Sequence, residues 1–330
     1  MMGAVNLRQP RWLLLYQNRN ITAAIEPWVT KVTYADKMHG EADELEIDLD
    51  DTDGRWRTIW APAKKDKLGL KFGYLKEPMQ NAGGFEIDEI EYKGPPHSLT
   101  IKALAAGITP SLRTAKSAAY EGQSLRQIAE TVAARHGLTV SGDIADLRLG
   151  RLTQDKERDL SFLKRTAEDF GHVFTIRDQT LVFHQIADLK SRPAIATIDR
   201  TMMLQYALKS STLGKVASVA LTYHDPDTRQ IVSASAVAAD PITGDVLRMR
   251  DRSPTRETAE ARAQAALERA NRGGEGEGSI TLPGDPRLAA GCRVQVTGLG
   301  ILNKDYLVEK ATHAMERQAG YVTTLEVKAG

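Results

Sequence analysis

Residues 122–138 read Gly-Gln-Ser-Leu-Arg-Gln-Ile-Ala-Glu-Thr-Val-Ala-Ala-Arg-His-Gly-Leu, and residues 157–174 read Glu-Arg-Asp-Leu-Ser-Phe-Leu-Lys-Arg-Thr-Ala-Glu-Asp-Phe-Gly-His-Val-Phe. Each segment predicts one helix with a start signal, an apolar face and a glycine stop. Ser124 with Gln127 three residues on is a capping box, in which each side chain satisfies an otherwise unpaired backbone donor. Leu125, Ile128, Ala129 and Val132 recur at helical spacing as one narrow apolar stripe. Gly137 ends that helix, because the residue after a C-cap commonly takes positive φ. Leu138 and Val140 follow as a short strand. In the second segment Glu157 and Asp159 stand near the helix start, where the macrodipole favours acids. Leu160, Leu163, Ala167 and Phe170 face one way, and Gly171 stops the helix. Val173, Phe174 and Ile176, a turn at Arg177-Asp178-Gln179, and Leu181, Val182 and Phe183 read as a hairpin. Residues 113–190 thus form a small α+β module, about half an average domain.

Both flanks of the module read as β, which makes it an insert or bridge between a first β domain, 1–112, and a second, 191–330. In the first flank, residues 11–16 predict a strand, Asn18-Arg19-Asn20 a turn, and residues 21–25 and 28–34 two further strands. Residues 44–50, Glu-Leu-Glu-Ile-Asp-Leu-Asp, carry the cleanest alternation in the chain. Leu45, Ile47 and Leu49 point to a core, and Glu44, Glu46, Asp48 and Asp50 line the opposite face. Four carboxylates on one strand face repel, so they are either solvated or matched by basic surface. Arg55, Arg57, Lys64, Lys65, Lys67 and Lys71 follow directly. The face is thus a plain solvated surface, or an acidic wall turned to a lumen or to a neighbouring subunit's basic strip. Residues 68–75 give another strand, Gly83-Gly84 turns the chain into a strand over 85–93, and Gly94-Pro95-Pro96 closes it before a return over 98–104. Five or more antiparallel strands with short turns make a barrel or sandwich.

After Pro193, strands are predicted over 202–208, 216–223 and 230–237, with a turn at Asp225-Pro226-Asp227. One isolated helix runs over 255–271 from Pro254 or Thr255, and proline suits a first turn. Its apolar positions Ala259, Ala263, Ala266 and Ala270 are small, with only Leu267 larger, which permits close approach to a sheet or another chain. Strands over 280–282, 292–297, 306–313 and 321–328 close the chain. The second β domain is expected to repeat the first, with one flanking helix added. No residue-level internal repeat is visible.

At 330 residues the chain has room for two or three domains. A hydrophobic content of 42% with 26% charged residues places it among soluble globular chains. The net charge of +1 gives no sequence-wide attraction to nucleic acid or membrane. A single cysteine, Cys292, excludes an internal disulfide and gives no sign of an oxidising destination. The apolar run 12–16 is too short for a signal segment or membrane span, so folding in a cytoplasm is expected. An aromatic content of 6% argues against a stacking platform for single-stranded nucleic acid.

No catalytic constellation emerges. The histidines His39, His97, His136, His172, His184, His224 and His313 form no HExxH or similar pattern. His172 and His184 could face each other across the hairpin, yet no carboxylate or cysteine completes a metal set. Cys292 reads as a small buried hydrophobe. Asp51-Thr52-Asp53-Gly54 resembles the start of a calcium loop but lacks the remaining ligands, so a hairpin turn is expected. The glycine-rich run 273–278 follows a helix rather than preceding one and lacks a Lys-Ser/Thr partner, so it reads as a helix stop and loop. Neither an enzyme, a cofactor nor a metal is expected.

Several segments, in order, resemble the phage late control protein D family, the baseplate hub proteins of contractile tails. They are Val32-Thr-Tyr-Ala-Asp36, Glu41-Ala-Asp-Glu-Leu-Glu-Ile-Asp-Leu-Asp-Asp51, Trp56 and Trp60-Ala-Pro62, then Gly84-Phe-Glu-Ile-Asp-Glu-Ile-Glu-Tyr-Lys-Gly-Pro-Pro96. In the module they are Ser124-Leu-Arg-Gln-Ile-Ala129, His136-Gly-Leu138 and the run from Asp159 to Gly171. Near the end they are Leu282-Pro-Gly-Asp-Pro-Arg-Leu-Ala-Ala-Gly291, Tyr306, His313 and Gly320-Tyr-Val-Thr-Thr-Leu325. Such proteins look like the hub portion of type VI secretion spike proteins.

The resemblance implies a mainly β fold: two tail-tube-like antiparallel β-barrels joined by the α+β module, with helix 255–271 flanking the second. It implies a homotrimer that joins a six-fold tail tube to a three-fold central spike. The implied partners are further copies of the chain, the tail tube, the spike, neighbouring baseplate proteins and the tape measure, with no membrane or specific nucleic acid. The implied location is the baseplate of a virion or phage-tail-like particle, assembled in the host cytoplasm. The chain ends at Gly330 just past the second predicted barrel, so the spike is expected to be a separate chain. Glu44, Glu46, Asp48 and Asp50 are the candidate interface residues. The alternative is a peptidoglycan-binding tail module that recognises the wall through the central helices.

Overall fold

The structure, a computed structural model, describes residues 8–106, 114–177, 179–211, 214–224, 229–239, 241, 244–251, 255–272 and 276–329. The first third comprises β1 (Pro10–Tyr16), β2 (Arg19–Asn20), α1 (Thr22–Ile25), β3 (Val29–Lys37), β4 (Glu44–Asp50), β5 (Lys67–Tyr74), β6 (Gln80–Lys93) and β7 (Ser98–Ala105). The middle holds β8 (Ala115–Tyr120), α2 (Leu125–Ala134), β9 (Thr139–Gly142), β10 (Leu152–Arg158), α3 (Asp159–Asp169), β11 (His172–Arg177), β12 (Thr180–Gln185) and α4 (Ile186–Ser191). The last part holds β13 (Ala196–Asp199), β14 (Gln205–Lys209), β15 (Ser218–His224), β16 (Ile231–Val237), β17 (Val246–Asp251) and α5 (Arg256–Asn271). It ends with β18 (Glu277–Pro283), β19 (Arg293–Thr297), β20 (Asp305–Glu316) and β21 (Gly320–Ala329).

The fold is mainly β. Strands of the first and last parts join in one 13-stranded sheet, ordered β14-β18-β21-β20-β3-β4-β7-β6-β5-β1-β2, with β19 on β20 and β13 on β19. The expectation of two closed barrels is corrected here: the pairings among the described residues close no barrel. The sheet curls instead. β3 and β5 stand four places apart in its order, about 19 Å in a flat sheet at the usual strand spacing. Yet the rings of Tyr34 and Phe72, on those strands, have centroids 5.5 Å apart. His313 of β20 and Phe72 are 4.8 Å apart. Curling lets one sheet face form its own core, with Leu14, Val32, Leu45, Ile47, Leu49, Leu70, Phe85 and Leu99 all buried. A second roll buries Ile198, Ile280, Val294, Val296, Tyr306, Val308 and Val327.

β20 splices the two rolls. Its start, Asp305 to Leu307, pairs with β19, and Lys310 to Glu316 pairs with β3, while β21 lines its other edge. A register shift between Val308 and Lys310 drops Glu309 from the ladder with β21. Such a bulge bends a strand and re-aims one side chain.

The middle is a separate core under α2 and α3, with Ile128, Val132, Phe162, Leu163, Phe174 and Phe183 buried. The capping box is present: Gln127 N donates to Ser124 Oγ (3.3 Å) and Ser124 N donates to Gln127 Oε1 (2.9 Å). Gly137 follows at φ +67° and Gly171 at φ +70°. The buried face of α3 is rotated from the expected one: Phe162 and Thr166 are buried with Leu163 and Ala167, and Leu160 is only half-buried. Glu157 belongs to β10 rather than to the helix.

Other expectations are corrected by local chemistry. The segment predicted as a strand over 21–25 is instead the short helix α1, because Asn20 Oδ1 accepts the Thr22 N–H (3.0 Å) and starts a turn. Gly83-Gly84 lies inside β6, at a register shift against β5, rather than before it. Asp51-Thr52-Asp53-Gly54 does not close a hairpin, since β4 pairs with β3 and β7. It leads into a 3-10 turn, Arg55–Arg57. The predicted strand over 202–208 begins only at Gln205, after a 3-10 turn started by Asp199 accepting the Thr201 N–H (3.0 Å). Helix α5 lies on a small sheet of its own, β16-β15-β17, and not on the large one. Asp178, Asp225-Pro226-Asp227, Pro254 and residues 273–275 fall outside the described residues.

Candidate functional site

The three cores meet at a polar junction built on the end of β3. Asp36 is buried, and its carboxylate accepts Arg177 Nη2 from β11 (3.3 Å to each oxygen) and Ala290 N from the loop before β19 (3.0 Å). One side chain of the first roll thereby ties the module and the second roll. Asp43 lies beside it, accepting Tyr34 Oη–H (3.1 Å) and Lys37 N–H (3.0 Å). Burial pushes both carboxyls up, with Asp43 raised to about 7 by its desolvation and the neighbouring Asp36 charge. A cavity of about 80 Å³ opens here, lined by Tyr34, Asp36, Asp43, Arg177 and His313. His313 donates from Nε2 to Leu288 O (3.0 Å) and accepts Tyr321 Oη–H at Nδ1 (2.8 Å). Burial lowers its pKa to about 4, so it packs there as a neutral ring.

The bulge in β20 makes a second knot. Glu309 faces His39 (3.2 Å), Lys328 (2.9 Å) and Arg272 (3.7 Å) from the loop after β3, β21 and the end of α5. Burial pushes this carboxyl up, but the His39 and Lys328 hydrogen bonds outweigh it and hold the pKa at about 2. A third network lies within the module. Asp159 has a fully buried side chain and accepts Gln154 Nε2 (2.8 Å), Lys116 Nζ (3.0 Å) and His136 Nε2 (2.7 Å). These networks were missed because their members read singly as a strand-end acid, a helix-start acid and an acid in a closing strand. Only the topology brings their partners together.

The acidic strand is placed as its alternation requires. Leu45, Ile47 and Leu49 are buried in the first roll, and Glu44, Glu46, Asp48 and Asp50 face outward. Three of the bases that follow the strand face other acids within the chain. Arg55 pairs with Asp53 (2.6 Å), Arg57 with Asp51 (2.7 Å), and Lys67 lies opposite Glu86. Neighbouring strands supply the cations instead: Lys37 pairs with Glu44 (2.8 Å), Lys31 lies opposite Asp48, and Lys102 opposite Glu46. Thr100 donates to Asp48 (2.6 Å), and the backbone N–H of Thr52 donates to Asp50 (2.8 Å).

His172 and His184 do not face each other, because His172 is in register with Gln185 and His184 with Val173, on opposite faces of the hairpin. His172 donates to Phe170 O (2.7 Å) and accepts Ala145 N–H (3.2 Å), a neutral structural histidine whose pKa burial lowers. Burial raises the Cys292 thiol to about 11, away from nucleophilic use. Among the described residues no group of three or more His, Cys, Asp or Glu could hold a metal ion.

Similarity to solved structures bears on the fold. A tail protein from Neisseria meningitidis matches with a TM-score of 0.73 at 14% identity, covering 97% of this chain and 96% of that one. A 43 kDa tail protein of prophage MuSo2 from Shewanella oneidensis matches with a TM-score of 0.73 at 14% identity, covering 97% and 98%. A type VI secretion system component of E. coli matches with a TM-score of 0.58 at 13% identity, covering 92% and 73%. In sequence, probable baseplate hub proteins of Escherichia phages 186 and P2 are 27% and 26% identical over 75% and 74% of this chain. The match spans 59% and 58% of the length of those relatives. The phage tail baseplate hub (GPD) family model matches residues 73–319, and the chain belongs to that family.

Proposed function

We propose that the chain is the structural hub of a contractile tail baseplate, a homotrimeric adaptor between a six-fold tail tube and a three-fold central spike. The observation that carries this reading is β20, which splices two curled β units into one sheet within one chain. The two curled rolls are the tube-facing units, so three copies present six of them on one side and three-fold symmetry on the other. The junctions at Asp36 and Glu309 hold the rolls in fixed relation, as such an adaptor requires. Its partners are the tail tube protein, the spike, neighbouring baseplate proteins and the tape measure, and it works through interface geometry rather than catalysis. The apolar faces of α2 and α3 are buried inside the module, which leaves wall binding without an apolar platform there.

The outward acidic face of Glu44, Glu46, Asp48 and Asp50 is one of the assembly surfaces. The test is to co-purify the full chain with the tube and spike proteins of the same particle. The expected product is one complex with three hub chains, weakened by Glu44→Lys with Asp48→Lys. A hub chain that binds neither protein contradicts the reading. Unchanged assembly of the double variant removes the acidic face from it.

A further inference from the structure

The small sheet β16-β15-β17 is covered on one side only. Val219, Leu221, Tyr223, Ala234 and Ala236 bury themselves against Ala259, Ala263 and Leu267 of α5. On the other side three rows stand in register: Val237–Ser218–Val246, Ser235–Ala220–Arg248 and Ser233–Thr222–Arg250. Among the described residues no element packs substantially on that side, and β16 and β17 each pair only with β15. Val237 is 69% exposed and Ile231, at the end of β16, 77%. The edge strand Ile-Val-Ser-Ala-Ser-Ala-Val has no charge and no proline, the devices by which sheet edges are protected in an isolated chain. An edge left this way marks a surface that assembly covers.

The charges on this face select its occupant. They are Arg248 and Arg250, both exposed and without an ion pair among the described residues. Two apart on one strand, their side chains emerge about 7 Å apart on the same face. The chain carries the matching surface elsewhere. Glu44 and Glu46 are likewise two apart on the outward face of β4; Glu44 holds Lys37 (2.8 Å), and Glu46 is in no ion pair among the described residues. Glu89 and Glu91 of β6 share that face across β7, each holding one lysine, Lys102 (2.8 Å) and Lys93 (2.9 Å), so the face stays acidic with acids in excess.

We propose that the open face of β16-β15-β17 docks on the acidic outer face of β4 in a second copy of the chain, with Arg248 and Arg250 over Glu44 and Glu46. The two patches differ, so the contact is head-to-tail and generates a ring when the rotation closes. This rests on the ring-forming hub reading and names the surfaces through which the ring forms.

The experiment measures self-association of the full chain by light scattering over a concentration series. The variants are Arg248→Glu with Arg250→Glu, Glu44→Arg with Glu46→Arg, and a chain carrying all four substitutions. Each double variant is expected to weaken association about tenfold or more, and the four-substitution chain to regain most of it. Thermal melts report folding. Should a double variant unfold, crosslinking between isotopically distinct wild-type copies decides, with links between 231–250 of one and 44–46 of the other expected. A wild-type assembly indifferent to either double variant, or lacking those links, overturns this interface and leaves the hub reading standing. A wild-type chain that never associates overturns both.

Discussion

Asp159 shows what one buried charge does for the module. Its carboxylate is removed from water, which pushes its pKa up, yet Gln154, His136 and Lys116 outweigh that and hold it below the usual range. Asp159→Ala takes the carboxylate acceptor from the buried His136 side chain, while Lys116, 32% exposed, turns to solvent, so the loss is that of buried hydrogen bonds, about 1–3 kcal/mol. Urea unfolding is expected to show that loss, and a change under about 1 kcal/mol contradicts the network's role. The pH response of the junction has the opposite sign from the usual carboxylate. The folded pKa of Asp43, about 7, lies above the unfolded value of about 3.9. The folded state therefore holds the proton across that window, and Asp43 lowers stability as pH rises through it. Asp43→Asn is uncharged throughout, so it should raise the melting temperature at pH 8 and leave it nearly unchanged near pH 4. Equal shifts at both values contradict the assignment. Glu309 runs the other way: its contribution is present above its unfolded value and is lost as pH falls toward about 2. None of these roles was legible in the sequence, because an acid in a strand looks the same whether its partners come from solvent or from three other elements.

At the scale of elements, legibility followed local signals. The capping box, the glycine stops and the alternation of 44–50 each placed an element, because their cause lies within a few residues. Ser124→Ala removes the acceptor for the Gln127 N–H and should cost about 1 kcal/mol of stability. No loss in a denaturant titration contradicts the cap. β8 and β10 went unread, since Ala-Lys-Ser-Ala-Ala-Tyr and Leu-Thr-Gln-Asp-Lys-Glu-Arg carry little apolar alternation and pair mainly with each other. The edge strand β14 depends on one glycine of its neighbour. Gly278 sits at φ +152°, and a Cβ there would lie 1.9 Å from Ala207 O. Gly278→Ala should therefore release β14, seen as faster amide exchange over 205–209 with the rest of the sheet unchanged. Unaltered exchange contradicts that close approach.

For the whole molecule, the sequence pointed to two β halves around an α+β module and, through resemblance, to the baseplate hub family. It did not disclose that one sheet runs through both halves. That depends on β20 changing partners at Glu309, a long-range register that no local pattern encodes. Nor did it show that α5 serves a separate sheet, because an alanine face fits any close neighbour. The acidic face of β4 was readable by alternation alone, while its counterpart on β17 became visible only once the open side of the small sheet was known. The central claim is that these parts make a ring of three. Light scattering of the purified full chain, alone and with its spike protein, tests it most directly. The account predicts a stable mass three times that of the chain, and a ring with a central channel by negative stain. A mass that stays at one chain at every concentration, with no ring even when the spike is present, contradicts it.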